Sequence, residues 1–231
     1  MTAKDGAIVA IDGPAGAGKS TAARLLAERL GYVLIDTGAL YRAVALAAKE
    51  RGIAWDDAEA LGALTASLEL RFEPPEAGAR PPLLVDGEDR STDIRAPDIS
   101  QGASQVSAHP PVRAALLGVQ RAMGEAGGCV LEGRDIGTVV FPNADVKVFL
   151  TASLDSRVGR RFDELVGAGA ETDRDAVRAE METRDARDSG REVAPLKPAD
   201  DAVRLDSTDL DLEEVVERLA AIVREAGFSA R

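Results

Sequence analysis

Lys19, Ser20 and Thr21 stand directly behind Gly13-Pro14-Ala15-Gly16-Ala17-Gly18, and that block follows the apolar run 7–11. A cation and two hydroxyls after a stretch almost without side chains suit the chemistry of phosphate groups. Phosphates are large anions, so a loop that cradles them must offer bare backbone N–H groups at close range, and a Cβ at the glycines would obstruct that approach. The spacing Gly13-xxxx-Gly18-Lys19-Ser20 is the Walker A pattern, found here between a strand-like run and a helix-like one, as the pattern requires. In this reading Lys19 reaches the terminal phosphates, Ser20 ligates Mg²⁺, and the helix N-terminus adds orphan N–H donors. The competing reading is a chance glycine-rich turn. The pattern does not name a reaction, because GTPases, motor ATPases and small-molecule kinases share it.

Three further segments narrow the chemistry. LIDTGALYR, 34–42, ends a second predicted strand and brings Thr37, Tyr41 and Arg42 to the sheet edge that holds the phosphate loop, where open α/β sheets bind ligands. Asp36, at the strand end, is expected to help order the Mg²⁺ shell. Taken alone, Arg42 also reads as a solvated helix residue. EGRDIGTVVFP, 132–142, places Arg134 and Asp135 at the same edge, flanked by Gly133 and Gly137. That pair serves either recognition or a salt bridge within the loop. Arg157, Arg160 and Arg161 stand at i, i+3 and i+4, and Arg184, Arg187 and Arg191 at i, i+3 and i+7, so each set lines one helix face. Guanidinium forks bind phosphate oxygens bidentately and offset developing charge. The alternative is surface pairing with Asp155, Asp185 and Asp188.

The elements that must position these residues follow from periodicity. An unbroken apolar run predicts a buried strand at 7–11, and further strands are expected at 32–35, 129–131, 145–150 and 202–206. Helical spacing predicts helices over 21–30, 112–125 and 212–225, the first ended by Gly31 and the last carrying the stripe Leu212, Val215, Val216, Leu219, Ile222 and Val223. Strand, helix and strand within the first 35 residues form a βαβ unit with parallel strands. Two segments break the alternation. The stretch 68–95 has two β-like runs around a Pro/Gly-rich turn and reads as an antiparallel insertion, whereas 156–191, rich in charge, reads as a mobile helical excursion. The expected fold is α/β, a P-loop parallel sheet flanked by helices.

With 40 acidic residues against 28 basic ones the net charge is -12, which opposes association with nucleic acid or an anionic membrane and leaves anions to a local basic pocket. Cys129 is the only cysteine, which excludes an intrachain disulfide and a cysteine-rich metal site and fits a reducing, cytoplasmic setting. The start MTAKDG lacks a signal-peptide core, and no run of about 18 apolar residues spans a bilayer. His109, the only histidine, precedes two prolines and reads as a turn residue before the 112–125 helix. A GTPase-type switch is disfavoured, because guanine-specific loops use Asn-Lys-x-Asp and the only asparagine, Asn143, is followed by Ala144-Asp145. Another small-molecule kinase, with a UMP/CMP-type or shikimate-type acceptor, is the stronger alternative.

Through IDGPAGAGKST, LIDTGALYRAVA, ASQVSAHPPVRAALL, EGRDIGTVVFP, RDARDSGREVAPL and LDST, in order over essentially the whole chain, the sequence resembles the bacterial cytidylate kinase family. The resemblance implies ATP-dependent phosphorylation of CMP and dCMP, with Mg²⁺ accompanying ATP, by a monomer acting on small molecules. It implies a core of 1–67, 96–155 and 192–231, an NMP-binding insertion at 68–95 and a lid at 156–191. By the same resemblance Ser104, Arg113 and Asp135 read the cytosine edge, and Arg42 and Arg134 hold the CMP phosphate. Thr37, Tyr41, Arg184, Asp188 and Arg191 lie near its sugar or phosphate, and Arg157 joins the phosphate loop on the ATP side. Lys19, Arg134, Arg157, Arg184 and Arg191 are then the catalytic charges. Glu132 departs from the family's more usual Asp but keeps the charge.

Overall fold

The computed structural model describes residues 6–76 and 79–230. The readings for the start of the chain, for two positions of the insertion and for the last residue fall outside this range. The apolar run closing on Asp12 forms β1 (Ile8–Asp12), wholly buried, and the phosphate-loop sequence leads from it into α1 (Lys19–Leu30). Gly31 ends α1 with φ 65°, the left-handed conformation that favours glycine. The chain then makes β2 (Val33–Asp36) and α2 (Thr37–Glu50), whose first turn is capped by the Asp36 carboxylate accepting from the Ala39 N–H at 3.0 Å.

A long detour follows. It comprises α3 (Ala58–Ser67), strands β3 (Leu70–Phe72), β4 (Leu83–Val85) and β5 (Glu88–Asp89), a 3₁₀ turn at Asp93–Arg95, then α4 (Pro97–Val106) and α5 (Pro110–Gly124). The three short strands form their own antiparallel sheet, as expected for 68–95, with Leu70 opposite Val85. It packs on the helices around it through Leu64, Leu68, Leu70, Leu83 and Ile94, a core separate from that of the main sheet. His109 is the N-cap residue of α5, and its Nε2 lies 2.8 Å from the Trp55 carbonyl, a structural role that agrees with the turn reading.

The chain returns through β6 (Cys129–Gly133), a wide π-helical turn at Ile136–Val140, β7 (Val146–Thr151), α6 (Leu154–Gly167), α7 (Arg174–Ser189), β8 (Val203–Asp206) and α8 (Leu212–Glu225). The main sheet is parallel throughout, in the order β2-β6-β1-β7-β8. β1 and β2 are parallel, but β6 lies between them, so the βαβ unit skips one position. That gap lets three strand ends converge from distant sequence: Asp12, Asp36 and Gly133 close β1, β2 and β6 side by side.

Two details depart from the sequence reading. On α8 the residues Val215, Val216, Leu219 and Val223 are buried, whereas Leu212 is 43% exposed and turns toward the ligand cleft. The excursion read as 156–191 starts earlier, at Leu154. Its two helices share only a small apolar cluster, Val158, Val177 and Met181 with Leu154, Phe162 and Leu165 around it.

Candidate active site

At the carboxyl ends of β1, β2 and β6 lies a cleft of about 1010 Å³ lined by Ala15 through Thr21 of the phosphate loop. Also lining it are Asp36, Thr37, Tyr41, Arg42, Ser104, Arg113, Arg134, Asp135, Arg184, Asp188 and Arg191. Of the residues expected in the site, Gly13, Pro14 and Arg157 do not reach its surface.

Gly13 instead fixes the loop's course. Its φ is 150°, and a Cβ there would meet the Leu150 carbonyl oxygen at 1.9 Å, so the chain leaves β1 pressed against β7 in a way open only to glycine. Lys19, at the start of α1, is buried and donates from Nζ to the Pro14 carbonyl at 2.7 Å. Burial, with Arg134 and then Arg184 facing it, pulls the Lys19 ammonium down to about 7. Three cations converge on one point, an arrangement that suits several negative charges arriving together.

Arg157 is committed elsewhere. Its Nε donates to Ala152 O, one terminal nitrogen donates to Ala15 O at 3.1 Å, and the other pairs with Asp185 at 2.7 Å. It braces the loop from behind, and direct contact with a phosphate requires releasing Asp185. Two cations of this helix line the cleft, Arg161 and Arg160, the latter holding Ser207 O and Ser207 Oγ at the start of the LDST-to-α8 loop. Arg161 pairs with Glu164, which lines the same cleft, so of the first arginine stripe only Arg157 is turned away from it.

On the opposite side the charges form a lattice. Asp188, 1% exposed, pairs with Arg134 at 2.9 Å and with Arg191. Burial alone would raise its carboxyl, but Arg134, Arg191 and Arg184 outweigh it and hold the group at about 2. Arg184 is buried with its Nε unpartnered, and burial with Arg134 nearby lowers it to about 10. Arg113 pairs with Asp135, donates to Ser107 O at 3.1 Å and lies over the Tyr41 ring at 5.5 Å. The adjacent Arg134 and Asp135 are therefore not bonded to each other. Each pairs with a residue brought from another helix, so the intra-loop alternative is not what forms. Arg187 donates to Ser104 Oγ at 2.8 Å and ties α7 to α4.

Three expected roles change in detail. The Thr37 hydroxyl donates to Glu132 O at 2.7 Å, tying the start of α2 to β6. Asp36 accepts from Ala39 N with one oxygen and from Arg42 at 2.7 Å with the other, so it serves first to orient Arg42. Ser20 Oγ instead donates to Glu132 Oε1 at 2.5 Å, and burial and the neighbouring Asp36 raise the Glu132 carboxyl. The sequence reading also passed over Asp12, whose carboxylate accepts from Ile136 N and Gly137 N at 2.8 Å each. Burial lifts Asp12 to about 6. Its position at the end of β1 was the only signal for it.

The donor set for a divalent ion is sparse. Ser20 and Glu132 offer oxygens beside the loop with Asp36 behind, and among the described residues no cluster of three His, Cys, Asp or Glu side chains could cage a metal unaided. Such a set fits Mg²⁺, which keeps waters and is bound through one or two carboxylates plus substrate phosphates.

The sequence model of one family, described as Cytidylate kinase, matches residues 9–225. The cytidylate kinase of Syntrophotalea carbinolica is 54% identical over 218 residues, 94% of this chain and 92% of that protein. Its counterpart in Geobacter sulfurreducens is 54% identical over 220 residues, covering 95% and 94%. A solved structure of an uncharacterized protein from Eubacterium ventriosum superposes with a TM-score of 0.51 at 14% identity, covering 95% of this chain and 98% of that one, and speaks for the fold alone. Matched by that family's model over residues 9–225 and sharing about half of its residues with such relatives nearly end to end, the chain belongs to the cytidylate kinase family.

Proposed function

We propose that the protein transfers the γ-phosphoryl group of ATP to CMP and dCMP, giving ADP with CDP or dCDP. The observation that carries this reading is the buried Arg113–Asp135 pair in a cleft that also holds the phosphate loop. Cytosine presents an N4 amino donor beside an N3 acceptor. The free oxygen of Asp135 accepts from N4, Arg113 donates to N3, and Ser104 completes the base edge.

In this reading ATP lies along the phosphate loop with Lys19 on its terminal phosphates, and its adenosine occupies the end bounded by Arg160, Ser207 and Leu210. CMP lies against α2 and α4, its phosphate toward Arg42 and Arg134, with Arg184, Asp188 and Arg191 at its sugar and phosphate. Ser20 and Glu132 would hold Mg²⁺, which when bound with ATP offsets charge on the β- and γ-phosphates. An oxygen of the CMP phosphate attacks the γ-phosphorus, the bond to the bridging oxygen breaks, and ADP leaves with that electron pair. The transition state is loose, so what the chain supplies is alignment and neutralisation by Lys19, Arg134, Arg184 and Arg191, and no catalytic base is required. The antiparallel insertion serves the acceptor, and α6–α7 act as the lid.

The test is base selectivity in an ADP-release assay across acceptors. Uracil reverses both groups, leaving Asp135 against O4 and Arg113 against N3–H, and each mismatch costs roughly 1 to 3 kcal/mol. CMP should therefore exceed UMP in kcat/KM by on the order of 10² to 10⁴. Asp135→Ala should erode that ratio by losing CMP activity far more than UMP activity. Equal use of UMP and CMP by the unaltered enzyme would defeat this account of recognition.

A further inference from the structure

Asp135, assigned to the cytosine edge, stands at the N-cap of the π-helical turn Ile136–Val140, with φ -146° and ψ 24°. Its carbonyl accepts from Val139 N at 2.9 Å and Val140 N at 3.2 Å, and the Ile136 carbonyl accepts from Phe141 N at 2.7 Å. The first amides of such a turn have no carbonyl behind them to bond, so their acceptor must come from elsewhere. Asp12 supplies it, one carboxylate oxygen taking Ile136 N and the other Gly137 N, at 2.8 Å each.

That carboxylate is a fixed post. Asp12 closes β1 in register with Gly133 of β6 on one side and Phe149 of β7 on the other, and the next residue, Gly13, is pressed against the Leu150 carbonyl. Asp12 is 4% exposed and does not line the cleft, so what it touches is backbone one and two residues past Asp135, not a ligand. A charged acceptor shared by two amides is a strong and directional contact. Asp135 is thus held by its carbonyl within the turn, by the next amide through Asp12, and by its carboxylate on Arg113. The strand end that launches the phosphate loop also sets the base-reading turn.

We propose that Asp12 is a positioning residue for base recognition: by clamping the Ile136 and Gly137 amides it aims the Asp135 carboxylate, and the preference for cytosine over uracil depends on a side chain that never meets the nucleotide. This rests on assigning Asp135 to the cytosine edge. A misaimed Asp135 weakens its bond to the cytosine N4 amino group, whereas the uracil O4 offers it no donor to lose. CMP is therefore penalised and UMP is not.

Steady-state kinetics with CMP and UMP on the unaltered protein, Asp12→Asn, Asp135→Ala and the double variant Asp12→Asn/Asp135→Ala test this, with thermal melts to establish folding. Asparagine keeps one acceptor oxygen and turns an amino group toward the second amide, so the CMP/UMP ratio of kcat/KM should fall about tenfold. The fall should come through a raised KM for CMP, with KM for ATP unchanged. In the Asp135→Ala background the same substitution should leave the ratio constant within about twofold, because the group that Asp12 aims is gone. If Asp12→Asn does not fold, Asp12→Glu decides: it keeps the charge but moves both oxygens one methylene outward, and the ratio should fall in the same sense. Equal losses for CMP and UMP in the folded variant, or the same fall of the ratio with and without Asp135, would overturn the proposal and leave Asp135 as the base reader. No CMP preference in the unaltered protein, or none lost in Asp135→Ala, would overturn the assignment of Asp135 and this inference with it.

Discussion

The two ends of the cleft are built from different materials. The end proposed for ATP is lined by one continuous loop, shaped by glycines and offering backbone N–H groups, with Lys19 at its helix start. The end proposed for CMP is lined by side chains from α2, α4, α5, the turn after β6 and α7, held in place by pairs such as Arg113–Asp135 and Arg134–Asp188–Arg191. A backbone-built site is complete once its strand and helix form. A lattice of charges is complete only when every partner has arrived, so there the same contacts carry stability and function together.

The sharpest way to break this contrast is Lys19→Ala. Removing one preorganised charge should cut kcat by at least about 10²-fold. The fold should be intact, with a melting temperature equal to or above that of the unaltered protein, since Arg134 and Arg184 lose a cation that repels them. Turnover near normal in the folded variant would remove Lys19 from the mechanism, and a large drop in melting temperature would erase the distinction between the two ends.

Asp188→Asn probes the other end and should damage both properties. It leaves Arg134 and Arg191 buried without their counter-ion, which costs on the order of 3–5 kcal/mol, and chemical denaturation measures that directly. The unaltered protein should show the same dependence through pH. With Asp188 near 2 in the fold against an ordinary value of 3.8, the unfolded chain binds more protons between those values. About 2 kcal/mol of stability, present above pH 3.8, is therefore lost as pH falls toward 2. Denaturation curves across that window should lose this component in Asp188→Asn.

A smaller effect separates the lid from the sheet. Helices α6 and α7 share few apolar contacts, and Arg184 of α7 faces the cations of Arg134, Arg42 and Arg161. Amides of 156–191 should exchange faster than those of β1 and β6 in the free protein and gain protection, roughly tenfold, when a bisubstrate analogue binds. Unchanged exchange in that segment would mean the lid is already set.

The order of elements and the phosphate loop were legible in the chain because their causes are local. Glycine spacing, an apolar run and helical periodicity act over a few residues, so β1, α1, the Gly31 stop and Lys19 could be read directly, and the antiparallel character of 68–95 followed from its turn. The acceptor side was legible as a set of residues but not as a set of partners. Arg134 and Asp135 are sequence neighbours that bond elsewhere, and Arg157, at the right spacing for a phosphate clamp, faces the back of the loop. Only the tertiary structure decided that β6 would lie between β1 and β2, and with it that Ser20 would meet Glu132 and that Asp12 would hold the turn at 136–137. Strand order and ion pairing depend on which distant segments exclude water together, and nothing within a short window of sequence encodes that.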